Sequence, residues 1–225
     1  MKENNLNVID YNEFHIKDAR YKRSKFGHIM QVDPKPFIYD KAYNQIYDSE
    51  AYKESSLKLC SIRYRLLESI GYKPNKLLDF GYGNGAFLDY VSDKIEVCNG
   101  FDIASGYTSE KWSKVDSFNG QYDVITFWDS LEHVKDLTFL KALKTKYIAV
   151  SLPYAHLGNW MLQDFETWKH RKPNEHLHHF NLTALVNLFN HYNYKLVVFN
   201  TNEDEIRKPE REETNILSCL FVKSL

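Results

Sequence analysis

Apolar and polar positions divide the chain into two regimes. Over residues 49–71 apolar positions recur at three and four, so that Leu57, Cys60, Tyr64 and Leu67 share one face. Ser49 stands where an N-cap is wanted and Gly71 where a helix stops, which predicts a helix over that stretch. Tyr39, Tyr43 and Tyr47 repeat every four residues just before it, on one face if the stretch is helical. From residue 77 the pattern changes. LLDF (77–80), IEVCNGFD (95–102), YDVITFW (122–128) and YIAVSLP (147–153) predict short buried strands. AFLDYVSDK (86–94), SLEHVKDLTFLKALK (130–144) and NLTALVNLFNHY (181–192) predict helices between and after them. Only a very short strand fits between Asp102 and Tyr122, around Val115. YKLVVFN (194–200) and ILSCLFV (216–222), joined by a charged loop, predict a final strand pair. Residues 1–35 are polar and mixed in charge, closed by Pro34 and Pro36, and are expected to be an arm or irregular lead-in.

Strands alternating with helices imply parallel crossover units, with helices on both faces of one sheet. The expected fold is therefore α/β, a Rossmann-like three-layer α/β/α sandwich. An N-terminal arm and helical cover occupies 1–71 and the α/β domain 72–225, with an aromatic, histidine-rich insert at 154–180 acting as a lid. A chain of 225 residues suits one such domain with an extension.

Charge and cysteine usage narrow the class. The formal net charge of −1 argues against a strongly basic nucleic-acid binder, while a local basic patch stays open. Cys60, Cys98 and Cys219 form no CxxC pair, which argues against a disulfide framework or a cysteine zinc site. The N-terminal residues have no apolar core of the signal-peptide kind, and no apolar run approaches the ~20 residues of a membrane span. A reducing cytoplasm is the expected location.

The stretch LLDFGYGNGAFLD (77–89) carries the chemistry. Gly81, Gly83 and Gly85 lie between a strand and a helix, where a bare backbone turns tightly and lets a ligand approach. The helix that follows offers free N–H groups. Asp102 ends the second strand, where a carboxylate can accept both hydroxyls of a ribose. GYGNGA also satisfies G-x-G-x-x-A, so a nicotinamide dinucleotide is one reading. Asp79, two residues before Gly81, favours another: it would repel a pyrophosphate and welcome a cationic amino-acid end. S-adenosylmethionine has an ammonium, a sulfonium and a ribose, and no phosphate.

On these residues the chain resembles the class I S-adenosylmethionine-dependent methyltransferases. LLDFGYGNGAF is similar to the family's first motif, GFDI to its acidic second-strand end and YDVITFWDSLEHV to its fourth-strand segment. SLPY with EHLHHFNLTALVNLFNHYNYKL looks like the closing region of small-molecule members that act on quinones and sugars. The resemblance covers about residues 40–200. It implies a seven-stranded, mostly parallel sheet with an antiparallel C-terminal strand pair. It also implies Asp79, Phe80, Gly81, Tyr82, Gly83 and Gly85 around the methionine end of the cofactor, and Asp102 and Ile103 at the ribose. Trp128, Asp129 and Ser130, at the end of the fourth strand, are placed near the reactive end. The third-strand region is too short to align, so no adenine contact is assigned.

Methyl transfer to a hydroxyl needs a proton acceptor, and histidine suits that role near neutral pH. Six of the nine histidines lie between residues 156 and 191. The candidate bases are His178, His176 and His133. His176 with His178 could equally be a metal pair or a hydrogen-bonded fastener of the lid, and Glu132 with His133 could simply secure a helix start. No resident metal is assigned. The expected enzyme is a methyltransferase that takes S-adenosyl-L-methionine, releases S-adenosyl-L-homocysteine and acts on a small-molecule acceptor. A nicotinamide-dependent oxidoreductase and a non-catalytic cofactor-binding or partner-binding relative are the alternatives.

Overall fold

The computed structural model describes residues 13–17, 19–38, 50–157, 162–208 and 213–224. The tyrosine repeat at 39–47, the Ser49 cap and Trp160 lie outside these residues.

The N-terminal region departs from expectation. Instead of an irregular lead-in it forms three strands, β1 (Glu13–Ile16), β2 (Ala19–Arg23) and β3 (Ile29–Val32). They make an antiparallel meander. Phe14, Ile16, Ala19, Tyr21 and Ile29 turn inward at period two while charged residues alternate outward. Strands of four or five residues flanked by charge carry too few apolar positions to stand out from a polar arm.

The predicted helix follows as α1 (Glu50–Glu68). Cys60 and Leu67 are buried as its pattern predicts, but Leu57 is 60% exposed and Arg63 takes a place on the inner face. The chain continues through β4 (Lys76–Phe80), α2 (Ala86–Val91), β5 (Val97–Phe101), β6 (Ser113–Lys114) and β7 (Gln121–Trp128).

Residues 130–144 were expected to be one helix and form two 3-10 turns instead, Leu131–His133 and Leu137–Ala142. The cause is local. Asp136 accepts from both the backbone N–H (2.9 Å) and the hydroxyl (2.7 Å) of Thr138, which starts a fresh turn and leaves Val134 extended.

Then come β8 (Lys144–Pro153), α3 (Leu162–Thr167), β9 (His178–His179), α4 (Leu182–His191), β10 (Tyr194–Asn200) and β11 (Ile216–Lys223). Asn181 caps α4 through its side chain, which accepts from the Ala184 N–H at 2.8 Å.

Seven strands form the main sheet in the order β10-β11-β8-β7-β4-β5-β6. The β8-β7-β4-β5-β6 portion is parallel, and β11 runs antiparallel to both its neighbours. The very short strand expected near Val115 is β6. One face packs under α1 and α2 around Leu67, Leu77, Leu88, Val124 and Leu220. The other packs under α4 and the two 3-10 turns around Leu78, Ile125, Leu140, Leu185 and Phe221. This is the three-layer α/β/α sandwich expected, with its C-terminal antiparallel pair.

A second sheet, β1-β2-β3-β9, joins the N-terminal strands to the 154–180 insert. Phe165 and Leu157 of the insert pack against Phe14, Tyr21 and Ile29. Leu177 ties both sheets' periphery together: its carbonyl accepts from Gln31 N–H and its N–H donates to the Glu132 carbonyl, each at 2.8 Å. The insert is thereby fixed over the carboxyl ends of the parallel strands. Among the described residues no helix is long and apolar enough to cross a membrane.

Candidate active site

A cleft of about 1050 Å³ opens at that edge. Its floor comes from the ends of β4, β5 and β7, its far wall from residues 169–177 and its rim from Pro34–Phe37. Open parallel sheets carry their ligands there, where the strand order reverses around the first strand.

The glycine loop leaves β4 with positive φ at all three glycines. Their reasons differ. A Cβ at Gly81 would meet the Cβ of Ser130 at 2.5 Å, and one at Gly85 would meet the Trp112 ring at 2.6 Å. Those two glycines serve the packing of the loop. At Gly83 nothing among the described residues lies within 4 Å of the missing Cβ, and its backbone borders the cleft. Ser130 locks the turn by donating its hydroxyl to the Phe80 carbonyl at 2.6 Å. Tyr82 is buried, and its hydroxyl donates to the Tyr107 carbonyl at 3.0 Å.

Asp79 is buried, with Oδ1 accepting from Thr126 Oγ1 at 2.7 Å. Burial pushes its carboxyl up to about 7, against the pull of Thr126 and Arg63. Asp102 is partly committed already. Its Oδ2 accepts from Gly83 N–H at 3.0 Å, and its Oδ1 from the N–H groups of Ala104 and Ser105 at 2.8 Å. The same carboxylate that was assigned to a ribose therefore pins the glycine loop to the end of β5. It still borders the cleft, as does Ile103, which is 88% exposed.

Asp129 sits in a network that the sequence did not reveal. It takes a left-handed backbone at the end of β7 and accepts from Arg63 (2.6 Å) and Arg207 (2.7 and 2.9 Å). Both arginines also reach the fully buried Glu203. Burial opposes charge on Asp129, but Arg207 and Arg63 outweigh it and hold the carboxyl well below its ordinary range. Arg63 lies three residues from Cys60 and four from Leu67, on the buried face of α1. A cation on the apolar face of an amphipathic helix is the signal that could have found it. The Arg63 guanidinium also lies over the Trp128 ring, 5.2 Å from its centre.

The three candidate bases separate. His178 does not border the cleft. Its Nε2 donates to the Val134 carbonyl at 3.0 Å, so its Nδ1 accepts from His28 Nε2 at 2.9 Å. The reading of His178 as the base is therefore corrected: both ring nitrogens are used, and the residue fastens β9 to β3. The chain turns over residues 172–176, where His176 N–H donates to the Lys172 carbonyl at 2.9 Å, so strand alternation does not place His176 and His178 on one side. His176 and His133 do border the cleft, with rings edge to face at 4.7 Å. Glu132 is buried beside them, and among the described residues none hydrogen-bonds either carboxylate oxygen. Burial, then the charge of Asp129, pushes its carboxyl up to about 8. Burial likewise lowers His133, and takes His176 down to about 2, so both imidazoles are neutral near pH 7.

Strand order, glycine loop and the acids at the ends of β4 and β5 together define a Rossmann-like methyltransferase. Residues 52–198 match the model of a methyltransferase domain family, Methyltransf_23, and the chain belongs to that family. It is an S-adenosylmethionine-dependent methyltransferase, which sets aside the nicotinamide alternative. No curated protein matches the chain. Among solved structures, the fold is similar to magnesium protoporphyrin IX methyltransferase from Synechocystis PCC 6803, solved with S-adenosylhomocysteine. That likeness has a TM-score of 0.56 at 13% identity, over 81% of this chain and 93% of that one. It is also similar to the 1,6-didemethyltoxoflavin-N1-methyltransferase of Burkholderia thailandensis, with a TM-score of 0.54 at 13% identity, over 96% and 100%. A methyltransferase of Clostridium acetobutylicum ATCC 824 gives 0.52 at 10% identity, over 82% and 98%.

The residues present fit the cofactor. The open face of Gly83 leaves room for close approach, and Asp79 offers a carboxylate to a cation.

Proposed function

We propose that the enzyme methylates a hydroxyl of a small-molecule acceptor seated over Glu132, His133 and His176. The observation that carries this reading is the buried Glu132 carboxylate, without a hydrogen-bond partner among the described residues and beside two imidazoles, in the same cleft as the glycine loop. A hydroxyl must lose its proton as its oxygen bonds to carbon. Thiols and stabilised carbanions need no such cluster, so its presence favours a hydroxyl.

S-adenosylmethionine, when bound, supplies an electrophilic methyl group on sulfur. Asp79 and the backbone of Gly81–Gly85 hold its amino-acid end, and Asp102 with Ile103 its ribose. The Arg63–Asp129–Arg207 network is a positioning device: it fixes the end of β7, and with it Trp128 and Ser130, against α1. Residues 169–177 and Pro34–Phe37 wall the cleft and limit water around the reacting atoms. The cleft's volume accommodates the cofactor together with an acceptor of modest size. Two of the similar structures, by their names, act on a porphyrin and on a small heterocycle, which is in keeping with a small-molecule acceptor.

The test is S-adenosylhomocysteine calorimetry joined to a methyl-transfer screen of hydroxyl, amine and thiol acceptors. Turnover on hydroxyl compounds, lost in Glu132→Gln and His176→Ala with cofactor affinity kept, is the expected result. Turnover confined to amines or thiols, or full activity in both variants, would reject it.

A further inference from the structure

We infer that Glu132, His133 and His176 form a binding site for one divalent transition-type cation, of the Zn²⁺ or Mn²⁺ kind. One ligand atom from each residue lies within 4.8 Å of the other two, a grouping found among the described residues. His133 Nε2 stands 3.9 Å from Glu132 Oε1. Ligand atoms around a tetrahedral Zn²⁺ are about 3.3 Å apart, so modest side-chain movement closes the set. Two imidazoles and one carboxylate, with a further side open to the cleft, match the donor pattern of a catalytic site rather than a closed structural one. The nitrogen donors select against Mg²⁺, which prefers oxygen.

Charge balance points the same way. The two arginines nearest Glu132 are already matched by Asp129 and Glu203. Glu132 is only 2% exposed, and among the described residues none hydrogen-bonds its oxygens. A divalent ion would supply the missing counter-charge to this buried carboxylate.

The supporting shell is present as well. The Glu132 carbonyl is held by Leu177 N–H at 2.8 Å, and His176 N–H by the Lys172 carbonyl at 2.9 Å. The two distant segments that carry the ligands are thus held by backbone hydrogen bonds that do not involve the ligand atoms.

The use of the ion rests on the hydroxyl-transfer reading above; its binding does not. The acceptor oxygen coordinates the cation and loses its proton to water. That oxygen then forms the new bond to the methyl carbon as the carbon–sulfur bond breaks, and no atom changes oxidation state at the metal.

The experiment uses full-length protein stripped with a chelator, then titrated separately with Zn²⁺, Mn²⁺ and Mg²⁺. Calorimetry and thermal melting read binding, and Mn²⁺ is also read by electron paramagnetic resonance. One equivalent of Zn²⁺ or Mn²⁺, bound at least tenfold more tightly than Mg²⁺ and raising Tm, is expected. Glu132→Gln and His176→Ala should each weaken that binding by about a hundredfold or more, ligand loss exceeding the loss of a supporting hydrogen bond. Unchanged S-adenosylhomocysteine affinity in Glu132→Gln shows that this near-isosteric variant is folded. Absence of saturable binding, or binding equal in wild type and Glu132→Gln, overturns the site. Turnover that survives full chelation rejects the ion's part in the reaction, while leaving the methyltransferase reading intact. Metal bound through Glu132 without hydroxyl methylation would support the site and reject the proposed acceptor.

Discussion

Arg63 of α1 and Asp129 at the end of β7 meet at 2.6 Å, though 66 residues separate them in the chain. With Arg207 and Glu203 they close a buried network that joins α1, the parallel sheet and the β10–β11 connection at the floor of the cleft. Removing one member leaves a buried charge without its partner, which costs about 3–5 kcal/mol. Arg63→Ala should lose that much stability in urea denaturation. Pairing it with Glu203→Gln should recover part of the loss, because fewer unpaired charges remain. A loss below 1 kcal/mol in Arg63→Ala would show that the network is solvated.

The glycines of the first loop should respond differently to the same change. Gly81→Ala drives a Cβ against Ser130 and should destabilise the fold by more than the ~1–2 kcal/mol of a left-handed alanine alone. Gly83→Ala has space for its methyl and should cost only that backbone strain, yet lower cofactor affinity because the methyl fills the open face. Thermal melts and S-adenosylhomocysteine calorimetry on both variants separate the two effects. Equal behaviour would mean that Gly83 does not face the cofactor.

Cofactor binding should depend on pH through Asp79. Its carboxyl, raised to about 7 by burial, is partly protonated in the free enzyme at neutral pH. A cationic ligand end binds the ionised form, so binding releases a proton below that pH. Affinity should fall as pH drops from 7 to 6, by up to about tenfold per unit, and level off above pH 8. Calorimetry in buffers of different ionisation enthalpy counts the proton. Asp79→Asn should abolish the pH dependence and weaken binding throughout.

His28 gives the fold its own acid sensitivity. Burial, followed by the proximity of His178 and His179, holds its pKa well below the ordinary value, so the folded state keeps it neutral. The unfolded chain takes up the proton near pH 6.5, which makes unfolding more favourable as pH falls. Stability present above pH 6.5 should therefore decline below it, by about 1.4 kcal/mol per pH unit for each such histidine. Denaturation midpoints between pH 7.5 and 5 check this, and His28→Gln should flatten the slope. The tautomers are also set: Ser24 Oγ bonds His28 Nδ1 at 2.8 Å, leaving Nε2–H to donate to His178. Nitrogen chemical shifts showing the opposite tautomer would break the chain of bonds.

Much of the architecture was legible because it rests on local pattern. LLDF, YDVITFW and YIAVSLP are apolar on both sides, as strands covered by helices must be, and each forms its strand. The glycine loop was visible because its three glycines all take the left-handed backbone that other residues adopt only at a cost. The failures share a cause. Residues 130–144 kept a helical spacing of apolar positions, but one Asp136 side chain bonding its own neighbour outcompeted the helix. The strands β1–β3 carried too little apolar contrast to register before their partner β9 was known.

By itself the sequence determined the layer order, the place of the cleft and the class of cofactor, since strand periodicity, glycine tolerance and an acid's sign are properties of a few adjacent residues. Only the tertiary structure decided which charged groups act together. Arg63 found Asp129, Glu132 and His133 found His176, and His178 turned from the cleft to His28. Such pairings depend on where distant segments are brought in space and on which of them is left without water or partner, and neither is written in the spacing along the chain.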